Sequence, residues 1–257
     1  MSVERCARFR TLHHDGSLLL LPNGWDHASV AGLARSGFEA VATTSLGVAA
    51  AAGSVDGDGL IRAETLELVR RTSGLCLVSA DVEGGFGDPG GVARELGQAG
   101  AVGLNLEDGR ADGSLAPAER HAEAIAEAKR QAPHLFVNAR TDVFWLRAGD
   151  GDEAVRRLRL YVEAGADGVF VPGALDETAI RRLVESVDSP LNVLYQPAGP
   201  SLDRLAELGV RRVSLGSLLF RAGLGAALRT AERLRAGEPD AVPDGTPGYA
   251  DVQALAD

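Results

Sequence analysis

Short apolar runs of strand length alternate with helical patterns from one end of the chain to the other. The runs are Ser17–Asn23, Glu39–Ser45, Leu75–Glu83, Ala101–Asp108, His134–Asp142, Asp167–Pro172, Leu191–Gln196 and Arg211–Ser217. Each is rich in Val, Leu, Ala or Ile, and several are apolar throughout, as strands of a parallel sheet buried on both faces must be. Between them, Trp25–Ser36, Asp152–Ala164, Glu177–Val187 and Leu202–Leu208 place apolar residues at helical spacing. Gly37, Gly165 and Gly209 follow as C-terminal caps. Eight strands with helices between them predict a (β/α)8 TIM barrel of the α/β class. A doubly wound open sheet is the competing architecture. Val3–His13 reads as a helix closing the barrel bottom. Leu218–Ala236 reads as a long helix of small and apolar residues, either packed on the core or forming a subunit interface. Residues 1–237 then make one barrel domain. Residues 238–257, with Pro239, Pro243, Gly245, Pro247 and Gly248, make an extended tail.

Composition narrows the function classes. The 257 residues carry a net charge of −10, which repels phosphate backbones and disfavours a nucleic-acid partner. Cys6 and Cys76 stand far apart with no metal-type spacing, so a reducing cytoplasm fits better than a disulfide framework. No apolar run has the length of a signal peptide or a bilayer span. Lys129 is the only lysine and lies in a polar helical run, read here as a solvated face. Schiff-base and pyridoxal phosphate chemistry need a reactive lysine, so both are disfavoured.

A barrel of this kind builds its site at the C-terminal ends of the strands. The third run ends Ser79-Ala80-Asp81-Val82-Glu83, and period-two alternation puts Asp81 and Glu83 on one face. The fourth ends with Asn105, Leu106, Glu107 and Asp108. Neighbouring strands thus bring three or four carboxylates together, and such a cluster repels itself. A divalent cation relieves the repulsion, and all-oxygen ligands point to Mg2+ or Mn2+. The plainer alternative is that these acids cap helices or pair with arginines on the rim. In the fifth run, Asn138, Arg140 and Asp142 share a face. A guanidinium there suits a substrate carboxylate or a developing oxyanion. It equally suits an internal pair that holds the acids in place, and both can be true. Thr43, Thr44 and Ser45 end the second run, where backbone N–H groups and hydroxyls can hold an anion. Gln196 is a further polar candidate at the rim.

Together these motifs resemble the isocitrate lyase/phosphoenolpyruvate mutase superfamily over about Val3 to Gly237. The resemblance rests on Pro22–Asp26, Thr43–Ala49, Gly53–Gly57, Asp81–Gly87, Gly103–Asp108 and Asn138–Asp142. It implies an enzyme that uses Mg2+ and a pyruvate-like 2-oxo acid, forming or cleaving a bond next to that unit. By this likeness Asp81 ligates the metal, with Glu83 and Glu107 contributing directly or through water. Glu83 stands where many members have a second Asp. Thr44 and Ser45 match the pair whose backbone holds the substrate carboxylate, and Arg140 matches the substrate-contacting Arg. Asp56 matches an acidic residue on a mobile gating loop. The family likeness also implies a homo-oligomer, dimer or tetramer, with the last helix exchanged between subunits.

One stretch departs from that pattern. The lyases of isocitrate and methylisocitrate carry a Cys loop with neighbouring Lys and His after the fourth strand, and the Cys is their acid/base group. Here Gly109–Pro117 has no Cys, Lys or His, and the Lys-Thr-Asn-Ser-type loop of phosphonomutases is missing too. The shared half of the mechanism remains, with the metal acting as Lewis acid on an enolate oxygen. That predicts a carbon–carbon lyase or decarboxylase of a small 2-oxo or 2-hydroxy acid, since decarboxylation needs no protein base for the cleavage step. A phosphonopyruvate hydrolase or mutase acting at C–P, with Arg110 near the phosphoryl group, is the second expectation. A protein that binds a 2-oxo acid without turnover is the third.

Overall fold

A computed structural model describes residues 3–173 and 175–256. Among these, nine parallel strands form a single sheet: β1 (Leu19–Leu21), β2 (Asn23–Gly24), β3 (Ala40–Thr43), β4 (Leu77–Asp81), β5 (Gly103–Glu107), β6 (Phe136–Arg140), β7 (Gly168–Val171), β8 (Leu191–Leu194) and β9 (Arg212–Ser214). The helices are α1 (Val3–Thr11), α2 (His27–Arg35), α3 (Ser45–Ala52), α4 (Arg62–Thr72), α5 (Pro89–Ala99), α6 (Ala118–Gln131), α7 (Gly151–Glu163), α8 (Glu177–Ser186), α9 (Leu202–Glu207), α10 (Leu218–Arg235) and α11 (Tyr249–Ala254). The order runs from β1 through β9 and back down to β2, so β1 and β2 are one stave broken at Pro22. A proline has no N–H to give a ladder. Buried Asn23 bridges the break. It donates from Nδ2 to the Thr43 carbonyl (2.8 Å) and accepts from the backbone N–H of Leu215 (3.0 Å) and Gly216 (2.9 Å). The result is a (β/α)8 barrel, as the alternating pattern predicts.

Local chemistry places the helices. Asp26 caps α2 by accepting from Ser29 N at 2.7 Å, with the Ser29 hydroxyl reaching back to the cap. Asp150 caps α7 through Asp152 N and Glu153 N. Asp88 caps α5 ahead of Pro89, a residue suited to a first turn. Apolar side chains of the strands and helices pack as one large core, with a smaller cluster around Val30, Val41 and Ile61.

At the bottom, α1 plugs the barrel with an aromatic cluster. His13 stacks on Phe136 with ring centroids 4.1 Å apart, and Phe9 meets both edge-on. Gly103 makes this possible, because a β-carbon there would lie 2.9 Å from the Phe9 ring. Lys129 is not on a solvated face. Its ammonium donates to Asp167 (2.8 Å) and to the carbonyls of Pro133 and Leu135. The end of α6 lies over the start of β6, and that brings these acceptors within reach.

Two further expectations change. The core-packed reading of the last helix fails, because α10 has no buried residue and exposes Leu224, Leu228 and Leu234. The tail after Glu238 is not wholly extended. Ala241 is buried, α11 forms near its end, and α2 holds it through His27 to the Leu255 carbonyl and Arg35 to the Ala254 carbonyl. Among the described residues no helix is long and apolar enough to cross a membrane.

Candidate active site

The barrel interior is polar toward its C-terminal end. Register aligns Asp81 with Asn105, and Asn105 with Asn138. Two residues further along, Glu107 aligns with Arg140. Asn138 donates to Asn105 Oδ1 at 2.8 Å and is fully buried. It therefore belongs to the floor beneath the site rather than to its mouth. Arg212, absent from the sequence-based candidates, completes this floor. Its guanidinium is fully enclosed, donating from Nη2 to Asn105 and from Nε to Ser214, each at 3.1 Å, while Nη1 has no partner among the described residues. Burial pulls its pKa down to about 9, opposed by the charge of Asp81. The available signal was the period-two alternation that puts Arg212 and Ser214 on one face, with Val213 on the other.

Above the floor the acids gather around Arg140. Its Nη1 lies 2.6 Å from Glu107 Oε2, while Nε (2.6 Å) and Nη2 (3.1 Å) grip both oxygens of Asp142. The guanidinium sits over the Phe170 ring at 5.6 Å. Burial opposes its charge, but Glu107, Asp142 and Asp81 hold its pKa above the ordinary value. Burial pushes Glu107 up to about 8, with Arg140 opposing and Asp81 and Asp142 adding to the rise. Burial also raises Asp81, again against Arg140, and Asp56 adds to it. The acids are thus crowded and short of water, as a site that perturbs its carboxylates should be.

Asp81 takes the Ser45 hydroxyl on Oδ2 at 3.4 Å, while its backbone N–H donates to Thr43 Oγ1 at 2.8 Å. Thr44 and Ser45 are buried at the start of α3 beside it. Glu83 has a left-handed backbone (φ 51°), uncommon for a residue with a side chain. Its Oε2 accepts from Gly59 N at 2.8 Å. That bond tethers the loop carrying Asp56, whose charge helps raise Glu83 after burial has done most of it. Gln196 is not brought here. It donates to the Gly173 carbonyl and lines a small cavity with Ile180 of α8 and Leu205 of α9, in the helix layer. Asp108 also leaves the expected cluster, because alternation turns it outward beneath α7.

The expected ligand group of Asp81, Glu83 and Glu107 is not drawn together. Among the described residues, no three His, Cys, Asp or Glu side chains are gathered as a metal-binding group. Glu107 is held by Arg140 and Glu83 by Gly59. Yet Asp81 Oδ1 and Glu83 Oε1 are both buried without a hydrogen-bond partner among the described residues. Two orphaned carboxylate oxygens, on acids that repel each other, fit a hard divalent cation.

Known proteins share this architecture. The family model for phosphoenolpyruvate phosphomutase matches residues 9–235. The uncharacterized protein Rv1998c of Mycobacterium tuberculosis (strain ATCC 25618 / H37Rv) is 40% identical, over 96% of this chain and 95% of that protein. The 2-methylisocitrate lyase of Bacillus subtilis (strain 168) is 31% identical, over 73% of this chain and 66% of the lyase. A crystal structure from Burkholderia cenocepacia J2315, provisionally described as a lyase/mutase, superposes with a TM-score of 0.89 at 35% identity, covering 98% of this chain and 95% of the other. The wider matches include oxaloacetate decarboxylases and a phosphonopyruvate hydrolase solved with oxalate and Mg2+, the latter at 23% identity and so informative on fold alone. With a family model spanning most of the chain and a relative aligned from end to end, the chain belongs to the phosphoenolpyruvate phosphomutase family of the isocitrate lyase/phosphoenolpyruvate mutase superfamily.

Proposed function

We propose that this chain is a divalent-metal-dependent lyase or decarboxylase that cleaves a carbon–carbon bond in a small 2-oxo or 2-hydroxy acid, leaving a pyruvate-type enolate. The observation that carries the reading is the pair of orphaned oxygens, Asp81 Oδ1 and Glu83 Oε1, beside an arginine gripped on two sides. Asp81 and Glu83 would hold Mg2+ or Mn2+, with Glu107 contributing through water. When bound, the cation supplies the positive charge that a chelating 2-oxo acid and its developing enolate require.

The chain's own residues do the rest. Arg140 spends three of its five N–H groups on Glu107 and Asp142, leaving one on each Nη to meet a substrate oxygen. At the start of α3 the Thr44 N–H donates to the Gly24 carbonyl (3.1 Å) and the Ser45 hydroxyl to Asp81, so the Thr44 hydroxyl and the Ser45 N–H are the groups assigned to the substrate carboxylate. Asp56 closes over the site on its tethered loop. Nothing in Gly109–Pro117 offers a Cys or His, and Arg110 there is exposed. Proton delivery to the enolate therefore falls to solvent entering past this short loop. The protein acts in the cytoplasm, where Cys6 and Cys76 stay as free thiols, and works as a homo-oligomer joined through α10.

The test is a proton NMR screen with and without Mg2+ against oxaloacetate, substituted malates, isocitrates and phosphonopyruvate. Pyruvate or a homologue appearing from a C–C substrate only with metal is the expected result. Phosphate release from phosphonopyruvate alone would replace this reading with the C–P one. Binding without turnover would replace it with a sensor. Asp81→Ala should lower metal-dependent kcat/KM by more than about 100-fold; full activity in that variant would end the metal assignment.

A further inference from the structure

Glu107 and Asp108 are adjacent in sequence and opposite in direction. Glu107 faces the barrel mouth, and Asp108 is fully enclosed on the outer side of β5, against α7. There Asp108 accepts four hydrogen bonds, about the full capacity of a carboxylate. Oδ1 takes the backbone N–H of Asp142 at 2.8 Å. Oδ2 takes the Thr141 hydroxyl (2.7 Å), the Tyr161 hydroxyl (2.6 Å) and Arg157 Nη1 (3.0 Å). Two of the four donors are consecutive residues of the turn that follows β6. The second of them, Asp142, is the residue that grips Arg140 through both carboxylate oxygens.

We infer that Asp108 is a positioning residue for Arg140. It sets the Thr141–Asp142 turn, the turn aims the Asp142 carboxylate, and Asp142 fixes the plane of the guanidinium. Tyr161 and Arg157, both on α7, fix Asp108 in turn, and Arg157 also donates to the Ala116 carbonyl at 2.9 Å. The orientation of the substrate-facing arginine thus depends on a helix on the outside of the barrel. A buried ion pair is a weak device for stability, because desolvation offsets its attraction. A fully satisfied buried network, by contrast, selects one geometry among near alternatives. The catalytic meaning of this arrangement rests on the proposed role of Arg140 as a substrate contact.

The experiment reads Arg140 directly. In 15N-labelled protein, its Nε–H cross-peak is assigned by its loss in Arg140→Lys, and its exchange with water is measured. Asp108→Asn replaces one accepting oxygen with an amide that cannot accept, so either Asp142 N or the three donors at Oδ2 lose their partner. Exchange of the Arg140 proton should then accelerate by about tenfold or more. Oxalate affinity in Mg2+ should fall by about tenfold or more in parallel. Tyr161→Phe should move both in the same direction by less, and it decides the question if Asp108→Asn does not fold. Leu183→Ala, a core truncation in α8, removes none of the hydrogen bonds to Asp108 and should leave Arg140 exchange unchanged. Unchanged exchange in the folded Asp108 or Tyr161 variant overturns the inference, as does equal acceleration in Leu183→Ala. If the wild-type protein binds no oxalate, the proposed function loses its support, while the exchange measurement still decides the positioning role.

Discussion

A β-carbon on Gly109 would lie 2.3 Å from Asp142 Oδ2. The glycine is therefore a spacing requirement, set by the carboxylate that aligns Arg140. Gly109→Ala should displace Asp142 and cost about 1–3 kcal/mol of stability as an overpacked site. Its effect on kcat/KM should exceed its effect on Tm. Steady-state kinetics beside a melting curve would check this, and a variant that lost stability but kept kcat/KM would separate Asp142 from the arginine's function. Glu83 poses a related question, since this left-handed residue is held at the carbonyl by Glu107 N–H (2.9 Å) and at the side chain by Gly59 N–H. Glu83→Gln keeps an acceptor for Gly59 but lowers the charge facing Asp81. It should keep the melting temperature within about 3 °C while weakening Mn2+ binding by about tenfold, read by electron paramagnetic resonance.

The α1 plug carries its own pH signature. Burial, with a contribution from Arg212, pulls His13 down to about 3. Burial pulls His121 down to about 4, where its ring meets Tyr161 edge-on at 4.7 Å. Both stay neutral in the folded protein, while the unfolded chain takes up protons below about 6.5. Their contribution to stability is thus complete above 6.5 and is lost as pH falls toward the folded values. Calorimetry should show Tm falling by about 5–10 °C between pH 7 and 4.5, and His13→Phe should remove part of that slope.

The elements themselves were largely legible in the chain, because strands buried on both faces leave unbroken apolar runs. The break at Pro22 was hidden, since Leu18–Leu21 and the residues after it read as one run. Asp81 and Arg140 were found because in-strand alternation extends to the strand ends. The same alternation separates Glu107 from Asp108, but their adjacency made them look like one acidic pair. Gln196 lies beyond Leu194, where β8 ends and alternation no longer fixes direction. Arg212 was hidden by chemistry, for two adjacent arginines, Arg211 and Arg212, at the head of a strand-like run look like a strand boundary.

At the scale of the whole molecule, α10 is an 18-residue helix with no buried side chain. Leu224, Leu228 and Leu234 are each half or more exposed, on a helix anchored near its start by Phe220 against Trp25. Leu224 and Leu228, one turn apart, share a face that suits an intersubunit contact. Sedimentation velocity should show an oligomer for the wild-type protein and a single chain for Leu224→Glu combined with Leu228→Glu. A wild-type monomer would remove the interface from the proposal. The pinned Lys129 has a different consequence. A protease that cuts only after lysine has one target in this chain, the Lys129–Arg130 bond, inside α6. That bond is closed to cleavage while the ammonium stays on Asp167 and the carbonyls of Pro133 and Leu135. Each cut therefore records one opening of the barrel's lower edge, and two fragments, 1–129 and 130–257, report its population without a label.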